Sequence, residues 1–134
     1  MKVVGTGAPS TLHVRLKHCE LGIWRDELRR RHSAALRTGT DAVQAEMSVL
    51  ARLVDQARKP APADQPYDVA GPSRVLAPLI RAAAAAALER YVAAVRAFGT
   101  EADTTADQVR AALDSATAWT ATLLALHFVE TDAG

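Results

Sequence analysis

From residue 41 onward, apolar positions recur at helical spacing. Val43, Met47, Leu50, Val54 and Ala57 step by four and three through residues 41–58, which places them on one stripe of an α-helix. Thr40 stands where a cap is needed, Asp41 suits the first turn, and Gly39 separates this helix from what precedes it. Val109, Ala112, Ala116, Trp119, Leu123 and Leu126 step in the same way through residues 105–128. At the start of that run, Thr105 and Gln108 have the spacing of a capping box, each side chain satisfying an amide left open by the first turn. Residues 73–98 predict the longest helix, with Ser73 as its cap and Gly99 as its end. Pro78 must lie in its first turn or kink it. The alanine run at 82–87 makes a smooth surface that lets a neighbouring helix approach closely.

The first segment is less regular. Trp24, Leu28 and Ala35 share a helical face, which Val14 and Leu21 extend, while Leu12, Leu16, Cys19 and Ile23 fall on the opposite side. Leu12, Val14 and Leu16 also alternate with His13, Arg15 and Lys17, a strand pattern. Only Val3 and Val4 otherwise resemble a strand, so the pattern lacks a pairing partner. The reading is therefore a helix over about residues 11–37, apolar on two faces, with Gly22 as its weakest point. One face packs inward and the other needs cover from a second subunit, the N-terminal tail or the linker.

Residues 59–72 hold four of the six prolines and form a linker between the second and third helices. The pattern as a whole predicts an all-α fold, an antiparallel four-helix bundle with a Pro-rich linker between helices 2 and 3. It forms one helical domain, with residues 1–10 as an N-terminal tail and residues 129–134 as a frayed end.

Composition sharpens this picture. The chain has 134 residues, 49% of them apolar and 23% charged, which is the balance of a globular domain. Aromatic residues make up only 4%, so Trp24, Tyr91, Phe98, Trp119 and Phe128 mark where the core needs volume. The single cysteine excludes an internal disulfide and a multi-cysteine zinc site. The N-terminus lacks the pattern of a secretory signal, and charges interrupt the most apolar segment, so the expected location is cytoplasmic, away from membranes. The net charge of +1 hides a split: the first 40 residues hold eight basic and three acidic side chains, and the rest is net acidic.

Candidate chemistry is sparse. Glu46 and Arg90 each fall on an apolar face, and an up-down bundle would set them level as a buried ion pair. Thr120 and His127 are further polar groups on inner faces. His127 could approach His18 and Cys19, but the adjacent pair diverges on a helix, and no metal or cofactor is expected. His32 reads as a packing residue. Asp26 and Glu27 lie at salt-bridge spacing before the run Arg29, Arg30, Arg31 and neutralise part of it. No phosphate loop, dinucleotide fingerprint, nucleophile elbow or catalytic carboxylate pair occurs, which argues against an enzyme.

The leading expectation is a small helical interaction, assembly or regulatory protein. Its interface would be the first helix, through Leu12, Leu16, Cys19 and Ile23 with Arg29, Arg30 and Arg31 on the rim, meeting a second copy or a partner with an acidic rim. Two alternatives stand beside it. One is a small-molecule-binding bundle in which Glu46, Arg90, Thr120 and His127 line a pocket. The other is a helical subunit associated with nucleic acid through its arginines.

Overall fold

The computed structural model describes residues 11–38, 41–59, 65–100 and 103–132. The predicted tail 1–10, the cap region at Gly39 and Thr40, linker residues 60–64 and the last two residues of the frayed end lie outside them. The fold is mostly helical but it is not a pure four-helix bundle. Strand β1 (Thr11–Leu16) and strand β2 (Tyr67–Pro72) pair antiparallel. Four helices follow the chain as α1 (Leu21–Thr38), α2 (Asp41–Ala57), α3 (Ser73–Thr100) and α4 (Ala106–Asp132). A short 3-10 turn (His18–Glu20) joins β1 to α1.

The correction to residues 11–20 has a clear cause. Alternation of Leu12, Val14 and Leu16 is indeed a strand pattern, and its partner is hidden at the end of the proline-rich segment. Leu12 stands opposite Gly71, Val14 opposite Val69 and Leu16 opposite Tyr67. Residues directly opposite in an antiparallel pair share a face, so all six turn inward, where Leu12, Leu16, Val69 and Gly71 are buried. Arg15 and Asp68 meet on the outer face at 3.2 Å, both well exposed. The four prolines had marked the whole of residues 59–72 as linker. Pro66 precedes β2 and Pro72 is its last residue, positions where a missing amide costs no central ladder bond.

A two-stranded sheet is marginal alone, and here it rests on the helices. Leu16, Trp24, Leu28, Leu50, Leu53, Leu76, Ile80 and Trp119 are fully buried in one core. Trp24 and Trp119 stack with ring centroids 6.2 Å apart. The helices do not follow chain order across the molecule. α1 packs against both α2 and α3, and α4 packs on α3, while α2 and α3 barely meet. The order is therefore α2, α1, α3, α4.

α3 and α4 form an antiparallel hairpin of 28 and 27 residues, each about 40 Å long. The Thr105–Gln108 capping box is present, with the Thr105 amide donating to Gln108 Oε1 at 2.8 Å and the Gln108 amide to Thr105 Oγ1 at 3.2 Å. Gly99 lies inside α3 instead of ending it, and Pro78 sits within the helix, exposed in its second turn. Every fully buried side chain of α3 lies between Val75 and Ala87. Beyond Ala87 α3 has no fully buried side chain, although Ala116 and Trp119 on the facing part of α4 still belong to the core.

Candidate interaction surface

The residues expected to dock a partner serve mainly as this chain's own core. Leu12, Leu16 and Ile23 are 6%, 1% and 5% exposed. The second apolar face of the supposed first helix is covered within the chain, because its first half is a strand lying on α3 and the 3-10 turn lies on α4. Cys19 is exposed, its sulfur 3.8 Å from the Asp114 carbonyl. Partial burial of that sulfur, then the neighbouring Glu20 carboxylate, push the thiol up and hold it protonated.

The arginine run is neutralised one residue at a time. Arg29 bonds Asp26 at 2.6 Å, Arg30 lies 3.5 Å from Glu27, and Arg31 bonds Glu46 at 2.8 Å. The expected Glu46–Arg90 pair does not form. α1 stands between α2 and α3, so Glu46 meets Arg31 on one side of it and Arg90 meets Asp26 on the other, at 2.7 Å. Arg90 and then Arg29 hold the Asp26 carboxyl below its ordinary range.

The polar groups proposed to line a pocket do not converge. Thr120 is exposed and bonds the Ala116 carbonyl of its own helix. His127 is exposed beside Arg81, Leu123 and Glu130. It also lies thirteen residues beyond Asp114, where Cys19 touches α4, or about 20 Å along the helix. His18, Cys19 and His127 therefore stay apart, and no group of three metal-binding side chains occurs among the described residues. His32 is half-buried on α1.

One polar residue whose structural role helix periodicity does not show is central to the fold. Glu20 is 1% exposed. Its carboxylate accepts the Lys17 amide at 2.8 Å and the Thr122 hydroxyl at 2.7 Å. It fixes α4 to the turn that leads from β1 into α1. The spacing of Glu20 from Lys17 across a turn was legible; its partner 102 residues away was not.

Among the described residues, exposed apolar side chains gather on the outer side of the α3–α4 hairpin, with Leu36 of α1 and Val129 of α4 exposed elsewhere. Leu88, Val92, Val95 and Phe98 on α3 are 57%, 39%, 46% and 54% exposed; Leu113, Leu124 and Phe128 on α4 are 42%, 52% and 60% exposed. Phe98 and Phe128, expected in the core, are both exposed; Phe128 continues the α4 side of this surface, while Phe98, five turns beyond the buried Ile80, is open at the end of α3. At 100° per residue, Leu88, Val92 and Val95 form one stripe, and Arg90, which reaches α1, points roughly opposite. Leu113, Thr117, Thr120 and Leu124 form another, and Thr122, which reaches Glu20, points roughly opposite. Both stripes thus face away from the rest of the molecule. The Arg81–Glu130 ion pair fixes the register of the two helices: seven residues on from Arg81 is Leu88, and seven back from Glu130 is Leu123, so the stripes lie side by side.

A second feature is a cleft of about 450 Å³ between α1 and the end of α2, with Leu28, Val54 and Ala57 as its floor and Arg25, Arg29, Arg58 and Lys59 around it. Arg25 donates to the Ala57 carbonyl at 2.7 Å, a cation at the negative end of α2. No described helix is long and apolar enough to cross a membrane. Searches of protein-family models, curated proteins and solved structures find no match to this chain.

Proposed function

We propose that this chain is a helical interaction or assembly protein whose docking surface is the outer face of the α3–α4 hairpin. The observation that carries the reading is the pair of adjacent apolar stripes, exposed on the side of the hairpin turned away from the chain's own core. A contiguous apolar patch of this size is costly to leave in water and marks interaction surfaces. Between Leu88 and Val95 the α3 stripe carries no charge, and on α4 only threonines interrupt it between Leu113 and Leu124. Charge is confined to the edges, as in an interface with an apolar centre and a polar rim.

Thiol accessibility tests this. In a Cys19→Ser background, single cysteines replace Val92, Leu124 and, as an exposed control on α1, Ser33. Maleimide labelling in extracts of the producing cell is expected to be several-fold slower at 92 and 124 than at 33. Equal rates at all three positions would sink the reading.

The cleft at the end of α2 favours a second reading, a binder of small anionic ligands with an apolar body. Arg58 and Lys59, which have no ion pair among the described residues, beside an aliphatic floor suit a carboxylate or phosphate on an alkyl chain, with Arg25 and Arg29 already bonded to the Ala57 carbonyl and Asp26. Calorimetric titration with an alkyl phosphate below its micelle concentration should show saturable heat that Arg58→Ala with Lys59→Ala removes. Absence of saturable heat with the unaltered chain rejects this reading.

A further inference from the structure

We propose that the occupant of the α3–α4 outer face is a second copy of this chain, packed antiparallel about a two-fold axis that runs across both helices. The proposal rests on the reading of that face as a docking surface and names its partner.

The argument is one of self-matching. A two-fold axis lying in the interface and perpendicular to the helices stacks α3 on the second copy's α3 and α4 on the second copy's α4, each pair antiparallel. Such an axis must pass through the midpoint of each stripe. On α3 the central pair of the stripe is Val92 and Val95, with its midpoint beside Ala93, and on α4 the stripe from Leu113 to Leu124 is centred between Ala118 and Trp119. Twelve residues on from Arg81 and twelve back from Glu130 reach Ala93 and Ala118. Both midpoints therefore lie at one level, and a single axis serves both helices.

The pairings that follow are chemically like with like. Leu113 meets Leu124 of the second copy, Thr117 meets its Thr120, and Val92 meets its Val95. Two hairpins packed in this way make a four-helix core with the heptad-like spacing that suits antiparallel helices.

The rim is self-complementary too. Glu89 and Arg96 flank the α3 stripe on the side away from α4; both are exposed, and neither has an ion pair among the described residues. They are seven residues apart, about 10 Å along one helix, and cannot pair within the chain. In the antiparallel arrangement Glu89 faces Arg96 of the second copy, and the axis makes the pair occur twice. The face between the levels of Arg81 and Gly99 spans roughly 27 by 20 Å, roughly 500 Å² in projection. The corrugated accessible surface is larger and approaches the ~800 Å² per partner of a stable interface.

The test is light scattering after size exclusion on the full chain, from micromolar to near-millimolar concentration. The expected mass is twice the 14.3 kDa of one chain. Val92→Lys with Leu124→Lys should give a monomer of unchanged helicity by circular dichroism. Glu89→Arg alone and Arg96→Glu alone should each raise the dimer Kd roughly five- to tenfold, since each change acts at two rim pairs. The double reversal should return the Kd to within about twofold of the original, which a within-chain role cannot do. A monomer at every concentration, a dimer indifferent to the two lysines, or a double reversal no better than the singles would each overturn the proposal. A monomeric pure protein whose cysteines at 92 and 124 are still protected in cell extract rejects the second copy and leaves the docking face with another partner. A monomer with both cysteines freely labelled rejects both.

Discussion

Asp26 accepts hydrogen bonds from Arg29 and Arg90, and so ties α1 to α3 while holding one of the three arginines of its own helix. Its carboxyl is held below the ordinary range, chiefly by Arg90. A depressed carboxylate stabilises the fold above the unfolded pKa, and that stabilisation is lost as pH falls through the folded value. The urea midpoint of the chain should therefore exceed that of Asp26→Asn by a constant margin at neutral pH. The margin should shrink below about pH 4, and its size should be about 1 kcal/mol or less, as for exposed pairs. A margin that grows in acid would contradict the assignment. Glu20 is a stricter case because it is buried. Thr122→Val removes its hydroxyl donor and should cost about 1–3 kcal/mol by chemical denaturation. Thr117→Val, on the open face of the same helix, should change stability by less than about 0.5 kcal/mol. Trp119 is buried, and its indole N–H has no hydrogen-bond partner among the described residues. Trp119→Phe should thus be neutral within about 1 kcal/mol, because the lost ring volume is offset by removal of an unsatisfied donor, whereas Trp119→Ala should cost about 3–5 kcal/mol.

At the scale of elements, the β1–β2 pair gives the sharpest test. Leu16 and Ile23 would be surface positions on a two-faced helix, and glutamate there would leave a folded chain. In the strand and at the start of α1 they are buried, and an unpaired carboxylate at either site must be desolvated. Leu16→Glu and Ile23→Glu should each abolish the cooperative thermal transition; a folded Leu16→Glu chain would contradict the ladder, and a folded Ile23→Glu chain the burial of the start of α1. The same pair marks the limit of what the sequence shows. The inner stripes of α2 and α4 and the Thr105 capping box were legible because each depends on residues within a few turns of one another. The strand over Thr11–Leu16 shows in the sequence as alternation, but its partner lies more than fifty residues on, among prolines that look like linker. The Glu46–Arg90 pairing failed for a related reason: helix periodicity says which side of a helix is apolar, but not which helix lies against it.

For the whole molecule, α3 divides into a half whose side chains enter the core and a half in which none is fully buried. In the monomeric variant Val92→Lys with Leu124→Lys, hydrogen exchange should be slow from Val75 to Ala87 and markedly faster from Leu88 to Thr100, because few buried contacts hold the outer half. In the unaltered chain, association should level that gradient. A gradient identical in both would show that nothing covers the outer half.

The ladder between β1 and β2 also has a consequence for how the chain reaches this state. It joins the two ends of a segment that contains all of α1 and α2, so its pairs are distant in sequence, whereas the α3–α4 hairpin forms from near neighbours. Non-local pairing must bear the entropy of closing a long loop before it gains anything. The hairpin should therefore form early and offer the surface on which the ladder later closes. Substitutions in the ladder, such as Val69→Ala, should speed unfolding and leave the refolding rate nearly untouched, while Leu76→Ala or Ile80→Ala on the hairpin should slow refolding itself.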